Sequence, residues 1–312
     1  MLFRSENADD VDEIVEVEAH RAIIYARCKY LHDLISESTN VVERESDSVL
    51  SSTTKVIVDI DDCNVAVFNA YLHFLYSGEL ELSSVSNIQS LSALVAKWCP
   101  DTHRAVIQEI CNPTGQVKLT LAEEVIAQME RDFETLINNP ESYSDVSLMV
   151  GDGSDDSCLI PTHRFILCRS PYFRNMLGSG MQESFSDVIT LQDYDRDVMM
   201  EILRYCYSDK INLNFTNAVG SLIYSSLFQL PDIANSCRNL VGQCLTLGNI
   251  CAVTDIAEAY NDSALKRICF AYLRDNYDEI QHATSYLSLS TDTRSKVEEM
   301  YQKKKRQASN KK

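Results

Sequence analysis

VFNAYLHFLYSGELEL (67–82) and VMMEILRYCYSDKINL (198–213) carry one pattern twice. At a constant offset of 131 positions, Val67 falls on Val198, Tyr76 on Tyr207, Ser77 on Ser208 and Leu82 on Leu213. The same register reaches outward in both directions. IVDIDD (57–62) falls on VITLQD (188–193), Leu91 on Leu222, and Pro100-Asp101 on Pro231-Asp232. Apolar positions match where identity is lost, as in Leu72 with Leu203 and Phe74 with Tyr205. One register held through strand-like, helix-like and turn-like segments means one structural unit used in tandem.

A chain of 312 residues has room for two ordinary domains, and 45% hydrophobic with 24% charged residues places it among globular proteins. No apolar run is long enough to span a bilayer, and MLFRSENADDVDE at the start lacks the apolar core of a signal peptide. Eleven cysteines without a secretion signal fit reduced thiols in helix cores. The expected location is therefore the cytoplasm or the nucleus. A net charge of −18 repels phosphate backbones, which argues against nucleic-acid binding by the body of the protein. Only the tail is basic, with Lys303-Lys304-Lys305-Arg306 and Lys311-Lys312. It reads as a solvated helix end, with a nuclear-import signal as the alternative.

The acidic segment 1–19 ends in the alternating IVEVEA, a short strand, and HRAIIYARCKYLHDLI (20–35) follows as helix. Residues 36–55 are polar and Ser-rich and read as a surface loop. The strand VIVDI (56–60) and helices at 65–77 and 87–98 complete the first copy. Thr120 and Glu123 form a T-x-x-E capping box at the start of a connecting helix, which Asn138-Asn139-Pro140 stops. The second copy opens with the strand DVSLMV (145–150). Only MLFR precedes the acidic segment in the first copy, so the expectation is that this copy lacks the equivalent strand. Beyond the repeat, one helix covers about 249–260. Another starts after Ser263 as N-cap, its buried face formed by Leu265, Ile268, Cys269, Tyr272 and Leu273.

THRFILCRSPYFRNML (162–177), MQES (181–184), VITL (188–191) and ILRYCYSDKINL (202–213) resemble a BTB/POZ domain. HRAIIYARCKYL (20–31), VIVDI and YLHFLYSGELEL (71–82) resemble a second, divergent copy, and 246–280 is similar to the helix pair that opens a BACK region. Within tandem BTB proteins, the second unit most resembles the inhibitor of Bruton tyrosine kinase family. The resemblance implies an α+β fold of two BTB/POZ domains followed by a short BACK-like helix pair. The expected layout is a first unit at 1–111, a helical connector at 112–143, a second unit at 144–242, BACK-like helices at 243–301 and a basic tail at 302–312.

Chemistry is sparse. No phosphate-cradling glycine loop, paired CxxC or HExxH occurs, so no cofactor and no metal is expected. Cys237, Cys244 and Cys251, spaced by seven, fit helical core positions better than metal ligands. His20 and His163 each precede an Arg and lead a helix. Without an identifiable nucleophile and orienting acid they read as structural side chains bonded at a helix start, and no enzymatic activity is expected.

The resemblance instead implies an adaptor. In BTB adaptors a hydrophobic-x-acidic triplet before the second-copy strand contacts the ubiquitin-ligase scaffold cullin-3, and Met181-Gln182-Glu183 stands there. A flexible Met suits an apolar pocket, with the carboxylate setting register at its rim. The first copy offers only Val41-Val42-Glu43. The leading expectation is recruitment of an unknown substrate to a cullin-3 ligase through the second copy. The alternative is a scaffold without ligase function, in which the copies pair within the chain or form a dimer between chains through their first helices.

Overall fold

The computed structural model describes residues 2–6, 14–37, 41–42, 55–60, 64–80, 88–98, 103–104, 107–108, 119–151, 158–192 and 194–309. The chain forms two compact units: 1–169 with 173–194 and 203–210, and 170–172 with 195–202 and 211–312. The division runs through the second copy, not between the copies.

The first unit contains both sheets. Strands β1 (Leu2–Glu6), β2 (Ile14–Glu18), β3 (Val41–Val42) and β4 (Lys55–Ile60) lie in the order β2-β1-β4-β3. Strands β5 (Val146–Gly151), β6 (Cys158–Thr162) and β7 (Val188–Gln192) lie in the order β6-β5-β7. In each sheet the first strand runs antiparallel to the second and parallel to the strand of the 131-residue register. Leu2 sits opposite Glu18 and Ile57, as Ser147 sits opposite Pro161 and Val188. The first copy therefore does possess the strand expected to be missing: it is LFRSE. In the second sheet Val146, Leu148 and Val150 alternate inward with Ile160, Ile189 and Leu191.

The Ser-rich stretch is not wholly loop. Ser36 and Glu37 end a helix, and Val41-Val42 pairs antiparallel with Val56 and Lys55. Residues 38–40 and 43–54 of that stretch lie outside the described residues, as does most of GDGSDD (151–156).

Helices α1 (Arg21–Arg27), α2 (Lys29–Glu37), α3 (Val65–Ser77) and α4 (Ile88–Trp98) build the first-copy core. Asn64 caps α3 by accepting from the amides of Ala66 and Val67, and Gly78 ends it at φ 74°. The α3 residues Val67, Phe68, Tyr71, Phe74 and Leu75 are buried among Ile23, Ile24, Leu31, Leu91, Val95 and Trp98. Helix α5 (Leu119–Glu134) follows. It starts one residue before Thr120, so Thr120 is inside the helix and is not its N-cap. Such a shift is common at helix ends.

The second copy continues with α6 (Arg164–Leu167), α7 (Pro171–Gly178), α8 (Gln182–Phe185) and α9 (Arg196–Ser208). The helix α6 is three residues shorter than α1 and the link to the next helix is two residues longer, which leaves the second copy one residue shorter here. Asp209, the counterpart of Gly78, ends α9 at φ 58°.

The second unit is helical: α10 (Phe215–Leu227), α11 (Pro231–Gln243), α12 (Ile250–Ala259), α13 (Ser263–Asp275), α14 (Tyr277–Ile280), α15 (Thr284–Leu287) and α16 (Thr291–Ser309). Asn214 and Asn217 form a reciprocal capping box at α10, and Pro231 opens α11 where no amide is needed. Asp262 caps α13 by accepting from Ala264 and Leu265, so the cap is Asp262 and not Ser263. Of the five residues expected on that face, Leu265, Cys269 and Leu273 are buried, while Ile268 and Tyr272 are half-buried. Among the described residues no helix is long and apolar enough to cross a membrane, and no group of three metal-ligating side chains forms. Cys237 and Cys251 are buried, while Cys244 is half-buried at the end of α11.

Candidate docking loop and the junction of the two copies

The loop carrying Met181 is held from below. Ser179 and Ser184 hydroxyls both donate to the carbonyl of Met176, at 2.8 and 3.0 Å. The amides of Gly180 and Met181 donate to Ser184 and Ser179. Arg164, on α6, donates to the carbonyls of Ser184 and Ser186. With its backbone so tied, the loop turns its apolar side chains outward. Met181 is 67% and Phe185 47% exposed, with Gln182 and Glu183 exposed beside them. In the first copy Val41 and Val42 are drawn into β3, and Glu43 lies outside the described residues.

His20 and His163 occupy matching places, but neither side chain caps its helix. Each is bonded to the tyrosine of the repeat. Tyr207 Oη lies 2.7 Å from His163 Nδ1, and Nε2 lies 2.9 Å from the Ser142 carbonyl. A carbonyl only accepts, so Nε2 carries the proton and Nδ1 accepts from Tyr207. In the first copy Tyr76 Oη accepts from the His20 amide and faces its Nδ1, both at 2.8 Å. Burial pushes His163 and His20 below the usual imidazole range and Tyr207 above the usual phenol range. The rings are thus held neutral as structural links.

A matched pair of arginines escaped the sequence reading. Arg27 donates to the carbonyls of Phe74 and Leu75 at the end of α3. Arg169 donates to Cys206, the counterpart of Leu75. The signal was present as HR…R in both copies, masked by the missing residue. Their acids differ. Arg27, fully buried, takes Asp132 of α5 at 3.4 Å, whereas Arg169 takes Asp209 at 2.5 Å near the surface. Burial lowers Arg27 and raises Asp132, outweighing their mutual attraction in both.

Helix α5 touches both copies. Asp132 faces Arg27 of the first. Glu130 and Glu134, one turn apart on the other side of the helix, take Lys210 at 2.6 Å, Arg204 at 3.8 Å and the Ser208 hydroxyl at 3.2 Å in the second. The copies also meet directly: the rings of His20 and Phe165 stand 4.3 Å apart, and Phe165 packs on the first-copy core. Tyr143 lies under the Arg21 guanidinium at 4.0 Å and bonds His32 at 2.9 Å.

Two sheets of like register, each followed by a helix led by a histidine bonded to the repeat tyrosine, define a duplicated α+β interaction domain. The BTB/POZ domain profile matches residues 10–112 and again 135–245, and the chain belongs to this family, with two BTB/POZ domains in tandem. It is similar to human Kelch repeat and BTB domain-containing protein 6, 28% identical over 136 residues covering 43% of the chain and 20% of that protein. It is 29% identical to mouse Kelch-like protein 8 over 147 residues, 47% of the chain and 23% of that protein. Against human BTB/POZ domain-containing protein 9 it is 30% identical over 155 residues, 48% of the chain and 24% of that protein. The chain spans about a fifth to a quarter of the length of these relatives.

Proposed function

We propose that this chain is a non-enzymatic adaptor whose second BTB/POZ domain docks cullin-3 and brings a substrate to the ligase. The observation that carries this reading is the braced loop with Met181 and Phe185 exposed beside Glu183. Two large apolar side chains held in water by a fixed backbone favour cover by a partner, and a neighbouring carboxylate gives that partner a register. Helices α12 and α13 are the BACK-like pair of this reading. In the second unit, α10 to α13 border a cleft of about 330 Å³, lined by Leu222, Ile223, Ile256 and Tyr260, wide enough for an apolar side chain of a partner. The resemblance of the second copy to the inhibitor of Bruton tyrosine kinase family is a further part of this proposal. The substrate would be taken by the first domain or by a module outside these residues.

The test is capture of purified cullin-3 N-terminal domain by the wild-type chain and by Met181→Ala/Glu183→Ala. The double variant is expected to bind at least tenfold more weakly, because truncating a central anchor costs about 2 kcal/mol or more. Equal binding by both, or binding by neither, ends this reading.

A further inference from the structure

We infer that the two BTB/POZ domains are each other's partner within one chain, and that this 312-residue chain is a monomer presenting a single copy of the docking loop. Association between chains through the first helices would need an exposed apolar face on them, and among the described residues no large apolar side chain of these helices is exposed. Ile23, Ile24, Leu31 and Ile35 of α1 and α2 are buried in the first-copy core, on which Phe165 of the second domain packs, and Ile166, Leu167 and Phe173 of α6 and α7 are buried as well. The large apolar side chains exposed among the described residues, such as Ile126, Leu159, Met181 and Phe185, lie on other elements.

What covers these helices comes from the chain itself. Phe165 of the second domain lies on His20 of the first, and Tyr143 fills the space under Arg21 and beside Tyr25 and His32. Helix α5 fixes the arrangement through charge. Carboxylates two residues apart point to opposite sides of a helix, so Asp132 holds the first domain while Glu130 and Glu134 hold the second. A second chain pairing on α1 at this place would have to displace Phe165 and Tyr143.

The pairing rests on geometry alone; the single docking loop rests in addition on the proposed function. Light scattering over a hundredfold concentration range is expected to give one chain mass, 35.3 kDa, throughout. A dimer mass overturns the inference, whether or not cullin-3 binds. With the cullin-3 N-terminal domain added, a one-to-one complex is expected, and two docked partners per chain overturn the single loop. A monomer that captures no cullin-3 supports the pairing and refutes only the ligase reading. A double-mutant cycle on His20→Ala and Phe165→Ala checks the junction independently of mass. The shift in urea midpoint from losing Phe165 is expected to shrink at least twofold once His20 is gone, and equal shifts overturn the contact.

Discussion

Tyr207 is the side chain on which the second-domain junction turns, because its hydroxyl is the donor left for His163 Nδ1 once Nε2 is committed to Ser142. Tyr207→Phe leaves a buried acceptor unpaired and should cost about 1–3 kcal/mol by urea unfolding. Tyr76→Phe should cost about 1 kcal/mol, since Tyr76 is only half-buried and water can replace the hydroxyl. A histidine also sets a pH response. His103 is buried against Arg27, and burial first, then that cation, lower it to about 4. Its unfolded value stays near about 6.5, so below that pH the unfolded chain binds the proton and the folded one does not. Stability is then complete above about 6.5 and falls as the pH drops toward 4. His103→Gln should flatten that fall by at most about 3 kcal/mol in unfolding measured from pH 7.5 to 4.5. His20, His163 and Tyr207 stood out in the sequence through their places in the repeat. The bonding of His163 to Tyr207 did not, because partners separated by 44 residues are fixed by the fold and not by local pattern.

Element boundaries divide by how local their causes are. The helix at 65–77 has local causes, since Asn64 caps its start and Gly78 ends it. The first strand was not legible in sequence, since LFRSE has little alternation and earns its place by pairing with residues 14–18 and 57–60. At α13 two good capping residues stand side by side, and only geometry chooses Asp262 over Ser263. Close approach of elements was equally invisible. A methyl group on Gly220 of α10 would stand 2.9 Å from Val198 Cγ2 on α9, so Gly220→Ala should cost about 1–3 kcal/mol. Gly78→Ala should cost about 1–2 kcal/mol for a different reason, the left-handed backbone at φ 74°. Thermal unfolding of the two variants measures both.

Over the whole molecule, the offset of 131 positions announced the duplication, while the way the copies meet depended on surfaces far apart in sequence. The triplet Met181-Gln182-Glu183, the candidate for docking, was picked out by resemblance, and its exposure became visible only with the hydrogen bonds that tie its loop. Asp132→Ala tests the junction as a unit. It strips the carboxylate from fully buried Arg27 and should cost about 3–5 kcal/mol, read as a lower urea midpoint at neutral pH. The unequal service of the two arginines, one by α5 and one by the residue that ends α9 in its own copy, has a wider meaning. In an assembly of identical chains every substitution strikes both halves together. Here each half is encoded separately, so selection can reshape the surface of one while the other keeps the pair intact.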